Sequence, residues 1–339
     1  MSVELLYVSD PAFARHSTGD LHPERPARLR AAERGIEESG AMVRRMTGTN
    51  ATDDDLARVH SMEYVRAIQR FCESGGGHLD PDTVAGPDSF RAAMLAAGSG
   101  PAAVEVMRRG GAGPAFLALR PPGHHALIDR AMGFCLFNNV AVTAAAIASG
   151  GERVAIVDWD VHHGNGTQDS FAKDPSVLYL SVHQHPFYPG TGDPANTGQG
   201  AGEGTTVNVA VPEGTAGDAY RMIWDRLTIP VLEQFQPDWV LVSSGYDAHA
   251  DDPLAELRLE SADYGWMAAS IAEAISPSRV LVFLEGGYHL PAITESVAAT
   301  VRGLMGKPPE PMGGFRSPAA AFIAVDQAVE HAGRRWSVA

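Results

Sequence analysis

Cysteine and lysine are nearly missing from this chain, which has two of the former and, at Lys173 and Lys307, two of the latter. Cys72 and Cys135 are too few for a disulfide framework or a four-cysteine zinc site, and they fit a reducing compartment such as the cytoplasm. No uncharged apolar stretch approaches the roughly 18 residues that a bilayer helix needs, and the start, Met1 to Asp10, lacks a basic segment followed by an apolar run and a small-residue cleavage site. Membrane spanning and export are therefore not expected. Basic runs are absent too, and the formal net charge is −15, so a phosphate backbone would be repelled. Nucleic acid is thus excluded as a sequence-independent partner. Cationic partners such as lysine side chains or polyamines suit an acidic surface better, although acidity also serves solubility.

What is present is an ordinary globular composition, 339 residues with 45% hydrophobic and 20% charged, enough for one large α/β domain. Short β-branched runs recur at Leu5–Val8, Ala115–Leu119, Val154–Val157, Val177–Val182, Thr206–Val211, Trp239–Ser243 and Val280–Leu284. Most are continuously apolar, as strands covered on both faces are. Helix-like stretches lie between many of them: Arg91–Arg109, Asn138–Ala148, Asp218–Gln234, Ala262–Ile275 and Pro291–Leu304. The alternation predicts a mostly parallel sheet between helices, with a tail carrying a short helix after Pro308.

Ligands of such sheets collect at the carboxyl ends of the strands, and the polar motifs fall there. Asp158-Trp159-Asp160-Val161-His162 follows one strand, Ser244 to Asp247 another, Glu285-Gly286-Gly287-Tyr288 a third, and Arg120-Pro121-Pro122-Gly123-His124-His125 a fourth. The alternation of Asp158, Asp160 and His162 puts like-facing ligand side chains together. An isolated Asp-x-Asp is as readily a helix cap as a ligand pair; a second acidic loop, Asp247 to Asp252, tips the balance to a cation. Two carboxylates and an imidazole leave an open position on a tetrahedral ion, as catalytic zinc requires. Adjacent His124 and His125 in a rigid Pro-Pro-Gly turn suit a proton shuttle, and Tyr288 after two glycines suits donation to a developing oxyanion.

At this point the residues resemble a known family. Arg120–Ala126 (RPPGHHA), Gly133–Asn139 (GFCLFNN), Asp158–Gln168 (DWDVHHGNGTQ), Asp174–Val182 (DPSVLYLSV), Ser244–Leu254 (SGYDAHADDPL) and Glu285–Tyr288 (EGGY) look like the signature blocks of the zinc-dependent histone deacetylase family. With His22-Pro23-Glu24 they cover roughly residues 16 to 305 in family order. The resemblance implies the arginase/deacetylase-like fold, a single domain over 1–339 with a central eight-stranded, mostly parallel sheet. It implies removal of an acetyl group from acetyl-lysine or a small acetylated amine. Asp160, His162 and Asp247 match the zinc ligands, His124 and His125 the tandem histidines, Tyr288 the transition-state tyrosine, and Asp158 the buried partner of His124.

The same resemblance assigns substrate contacts to Gly133, Phe134, Tyr188, Asp82 and Leu254, and places Arg28 in an internal acetate-release tunnel. A structural potassium ion is implied at Asp158, Asp160, His162, Ser181 and Val182, and a second near Phe171, Asp174 and Val177. Asn165 stands where one branch of the family has an aspartate beside the second histidine, which points to the class II-like branch with its bacterial amidohydrolase and acetylpolyamine relatives. An excess of arginine over lysine fits a GC-rich bacterial genome. Leu254 replaces the glutamate of polyamine-specialised relatives and tilts the reading towards acetyl-lysine. His22 and His185 are further rim candidates, His249 suits surface packing and His163 a supporting role. An arginase-like ureohydrolase with two manganese ions would need more ligands, and an inactive acyl-lysine binding module would lack one of these groups. The sequence sets no oligomeric state.

Overall fold

The computed structural model describes residues 3–110, 112–310 and 313–338. Its strands are β1 Leu5–Val8, β2 Val43–Met46, β3 Gly77–His78, β4 Val84–Ala85, β5 Ala115–Leu117, β6 Val154–Asp158, β7 Val177–Gln184, β8 Thr206–Val211, β9 Trp239–Ser244 and β10 Val280–Leu284. β3 and β4 form a small antiparallel ribbon, and the other eight make one sheet in the order β2-β1-β5-β10-β9-β6-β7-β8. Every neighbouring pair in that sheet is parallel, so all eight carboxyl ends share one rim.

Burial explains which strands the sequence announces. β5, β6, β7, β9 and β10 are buried at every position and read as apolar runs whose polar residues fall towards their carboxyl ends. β2, with the sequence Val43-Arg44-Arg45-Met46, is the edge strand and half exposed, so its arginines hide it from an apolar-run search. Helix Ala27–Ser39 and helix Met62–Glu73 were likewise not anticipated. The latter buries Tyr64, Val65, Ile68 and Cys72 at helical spacing behind a Ser61 cap whose side chain accepts from the Tyr64 N–H.

The helical stretch expected over Asp218–Gln234 is interrupted. Helix Gly217–Ile223 passes through a π turn, Trp224–Thr228, into helix Ile229–Phe235. Pro230 has no N–H and its ring would crowd the carbonyl four residues back, and the wider turn relieves that clash. The segment after Pro308 carries a 14-residue helix, Ala319–Ala332, which packs on β8, while the Trp336 indole N–H donates to the Gly204 carbonyl at 2.9 Å. No helix among the described residues is long and apolar enough to cross a membrane.

One buried ion cluster ties the amino-terminal segment to this rim. Glu24, Arg28 and Arg120 are wholly inaccessible. Glu24 accepts from Arg28 at 3.0 Å and from both Nε and Nη2 of Arg120, while Arg28 donates to the carbonyls of Gly287, at 2.6 Å, and Glu285. Burial alone would raise the Glu24 pKa, but Arg120 and then Arg28 outweigh it and hold the carboxyl down at about 2. Because its folded pKa is depressed, Glu24 contributes stability above its ordinary pKa near 4.5 and loses it as pH falls towards about 2. Glu24→Ala leaves two guanidinium groups buried without their carboxylate and is expected to cost about 3–5 kcal/mol in urea denaturation at neutral pH. The difference from wild type should shrink as pH is lowered through that window. A substitution cost that stays the same at acid and neutral pH would contradict this account of the cluster.

Candidate active site

Strands β5, β10, β9 and β6 are adjacent at the centre of the sheet, and each hands its polar motif to the same rim. Asp160 and His162 come from the loop after β6, Asp247 from the loop after β9, and their ligand atoms lie within 4.8 Å of one another. Backbone N–H groups hold both carboxylates: Asp160 Oδ2 accepts from Gly286 at 2.7 Å and its Oδ1 from His162 at 2.9 Å, and Asp247 Oδ1 accepts from Val161 at 3.0 Å. Asp160 Oδ1 and Asp247 Oδ2 lie 3.0 and 3.3 Å from His162 Nδ1. Asp247 Oδ2 is fully buried and has no hydrogen-bond donor. A buried, unsatisfied carboxylate oxygen is costly, and a divalent cation between these three groups removes the cost. The donor set therefore fits a single ion. Among the described residues no other group of three such side chains gathers at this distance, which does not supply the ligands of a two-manganese centre. Gly286 makes the approach feasible, because a Cβ there would overlap Asp247 Oδ2.

The tandem imidazoles facing this group have pKa values shifted in opposite directions. His124 Nδ1 lies 3.1 Å from Asp158 Oδ2, which also accepts from the Tyr179 hydroxyl. Burial opposes charge on His124, but Asp160 and Asp158 overcome it and push its pKa up to about 10. His125 is driven the other way, well below the ordinary histidine value, first by burial and then by the neighbouring His124 and His162. A bound cation would work against a charge on either ring. His125 Nδ1 lies 2.8 Å from Asn165 Oδ1, an atom that only accepts. The His125 proton is thereby assigned to Nδ1, which leaves the Nε2 lone pair free.

Two further carboxyl groups, given no role in the sequence reading, set the backbone of this rim. Glu285 Oε2 accepts from the N–H groups of Gly123, at 2.7 Å, and His124, and burial followed by nearby charges leaves its pKa raised to about 7. Asp252 accepts from the Tyr288 N–H at 2.6 Å and is raised to about 7 by burial and then Asp247. Glu285 closes an apolar strand and Asp252 ends an acidic loop, signals available in sequence but ambiguous without their partners. Tyr288 itself is held well above the ordinary phenol range by burial and by Asp247, so its hydroxyl remains a donor. Arg28 lies 5.2 Å from the centre of the Tyr288 ring.

A cavity of about 250 Å³ leads to these groups, lined by Asp82, Gly133, Phe134, Phe187, Tyr188 and Leu254 as well as His124, His125, Asp160, His162 and Tyr288. All five substrate-contact positions expected from sequence thus line one cavity. Phe187, which the sequence reading passed over beside Tyr188, stacks on the His162 ring at 5.2 Å. Phe134 has φ 67°, a left-handed backbone costing a non-glycine residue about 1–2 kcal/mol, and its N–H donates to the Thr83 hydroxyl at 3.1 Å. Tyr188 and Leu254 are 37% and 38% exposed and form the mouth. His22 packs its ring on Phe134 at 4.6 Å with Nε2 3.0 Å from the Asp82 carbonyl, so it supports the wall. His185 lines a separate cavity behind Asn165, His163 is pinned between Thr191 and Gln168, and His249 sits against Asp251 and Ser261.

The residues expected around potassium ions are partly gathered. Asp158 and Ser181 are register partners across β6 and β7, with Val182 next in β7, and the Ser181 hydroxyl lies 2.9 Å from His183 Nδ1. Phe171 ends helix Asn165–Phe171, and Asp174 and Val177 lead into β7.

Residues 22–304 match the histone deacetylase domain. An uncharacterized protein, slr0245, of Synechocystis is 42% identical over 89% of this chain and 99% of its own, and a histone deacetylase-like amidohydrolase of Pseudomonas aeruginosa is 38% identical over 93% of this chain and 85% of its own. Among solved structures, the HD domain of HDA15 superposes with a TM-score of 0.92 at 34% identity, over 99% of this chain and 96% of that one. These matches set the class, a hydrolase that acts on amide bonds. Within that class the chain belongs to the histone deacetylase family. The family generally depends on a metal, and the Asp160, His162 and Asp247 group is where this chain gathers ligands for one.

The neutral contact between His125 and Asn165 predicts a pH effect. Asn165→Asp puts a negative charge beside the ring, favours the imidazolium and raises the pKa of His125. For a base that acts only when neutral, the loss of activity on acidification then begins at a higher pH, so the acidic limb of kcat/KM against pH should move upward by about one unit. An acidic limb that stays where the wild type has it would show that position 165 does not tune this ring.

Proposed function

We propose that this chain is a zinc-dependent deacetylase whose substrate is acetyl-lysine, with water as the nucleophile. The observation that carries the reading is the unpaired, buried Asp247 Oδ2 beside Asp160 and His162, at the foot of an aromatic-walled cavity that also holds two imidazoles and a phenol. Zinc held by Asp160, His162 and Asp247 would supply Lewis acidity, polarising a carbonyl oxygen and acidifying water.

The chain's own groups divide the remaining work. His125, neutral with its free Nε2, takes a proton from the attacking water and returns it to the leaving amine. His124, held by Asp158, contributes positive charge where negative charge develops. Tyr288 donates its hydroxyl hydrogen bond to the oxyanion as the carbonyl becomes tetrahedral. Phe134, Phe187 and Tyr188 exclude water from the aliphatic part of the substrate, the Gly133 carbonyl accepts from its amide N–H, and Asp82 meets the substrate backbone at the mouth. Arg28, with its donors on the Gly287 and Glu285 carbonyls, borders the path by which acetate leaves. Potassium near Asp158, Asp160, His162, Ser181 and Val182 would neutralise carboxylate and carbonyl charge behind the zinc ligands.

An acetylated polyamine is the second reading, supported by Asp82 in the cavity lining with Asp80 bonded beside it, a pair that would attract a distal ammonium. A panel of acetyl-lysine peptides, acetylputrescine, acetylspermidine and longer acyl-lysines, each with and without a zinc chelator, separates the two. Fastest turnover on acetyl-lysine, lost to the chelator and restored by zinc, is expected. Tyr288→Phe should lower kcat on that substrate by about 10²–10³-fold. Full turnover in the chelator, or wild-type kcat in the phenylalanine variant, would refute the mechanism.

A further inference from the structure

The loop from Glu285 to His289 carries the phenol, yet two of its five residues are glycine and Gly287 has φ 108°, so the backbone does not hold itself in place. It is gripped from outside. On one side Arg28 donates to the carbonyls of Glu285 and Gly287. On the other side stands Asp252, five residues past Asp247 and only 6% exposed. Asp252 Oδ2 accepts from the N–H groups of Tyr288 at 2.6 Å and His289 at 3.2 Å, and Oδ1 accepts from the Leu254 N–H at 3.0 Å.

These three bonds do a job that no nearer group performs. His289 is the N-cap of helix Leu290–Leu304 but makes no side-chain cap bond, so the Asp252 carboxylate, arriving from the β9 loop, takes the amides at the head of that helix. The same carboxylate fixes the backbone of Leu254, whose side chain forms the channel mouth. A carboxylate offers acceptors on both oxygens, whereas an asparagine offers one oxygen and turns an NH₂ against the remaining amide. The site needs this acid for its acceptors on two segments.

We propose that Asp252 is the positioning residue of Tyr288, and that it couples the residue at the channel mouth to the placement of the phenol. The inference rests on the reading of Tyr288 as the oxyanion donor. A misplaced donor costs turnover more than binding, because the bond it makes strengthens only as the oxyanion forms.

The test is a double-mutant cycle of Asp252→Asn and Tyr288→Phe, with kcat and KM measured on whichever of acetyl-lysine peptide or acetylputrescine the wild type hydrolyses. Asp252→Asn is expected to lower kcat by about tenfold or more while KM moves by less than about threefold. In the Tyr288→Phe background the same substitution should change kcat by less than about twofold, because the group it places is already gone. Equal losses in both backgrounds, or a folded Asp252→Asn enzyme with wild-type kcat, would overturn the positioning role and leave the Tyr288 mechanism standing. Wild-type turnover by Tyr288→Phe alone would instead remove the reading on which it rests. Should Asp252→Asn fail to fold, hydrogen exchange on the wild-type enzyme decides the matter. Slow exchange at the Tyr288 and His289 amides supports the clamp, and rapid exchange there overturns it.

Discussion

Asp160 and Asp247 are wholly buried, within reach of each other and of His162, and two carboxylates brought this close in a dry interior repel strongly unless a positive charge joins them. The surrounding structure is arranged around that repulsion. Backbone N–H groups of Gly286 and Val161 satisfy one oxygen on each carboxylate and turn the other towards the common centre. Asp160 and Asp158 push the pKa of His124 up against burial on one side, and the glycine at 286 keeps side-chain bulk out of the gap. The positive charge can come from His162, whose pKa Asp160 and Asp247 push up to about 10 against burial, or from a cation that takes the place of its proton.

The two adjacent imidazoles show how environment divides identical side chains into different roles. Both are buried, and both have one ring nitrogen committed to a fixed acceptor. Burial opposes charge on both rings; Asp160 and then Asp158 overcome it at His124, whereas at His125 the neighbouring His124 and His162 add to it and only an amide oxygen is bonded to the ring. Separated pKa values on neighbouring groups are what a site needs to have a base and an electrostatic stabiliser at the same pH. The bonding partners of the two rings, Asp158 and Asn165, come from the end of β6 and from the helix that follows its loop.

How far these features could be read in advance depends on how each residue is buried. The continuously apolar strands declare themselves, and with them the polar motifs at their carboxyl ends, so His124, His125, Asp160, His162, Asp247 and Tyr288 could be gathered from sequence onto one rim. Edge strand β2 could not, because Arg44 and Arg45 interrupt its pattern where solvent permits charge. Glu285 and Asp252 escaped for another reason. Their partners are backbone N–H groups of distant loops, and no side-chain pattern marks an amide that happens to point at an acid. Phe187 was missed beside Tyr188 because adjacent aromatics at a turn do not say which of them faces inward, and both do.

The position of β10 has a consequence for how the molecule is made. This strand lies between β5 and β9 at the centre of the sheet, although it is the last strand in the chain. Until residues 280–284 have left the ribosome, the strands behind His124 and His125 have no ladder of hydrogen bonds to the strands behind Asp160, His162 and Asp247. Before then the two halves meet through loop contacts such as His124 to Asp158 and His125 to Asn165, and Glu285 and Tyr288 are still missing. The last strand to be made thus closes the centre of the sheet and delivers the phenol in the same step.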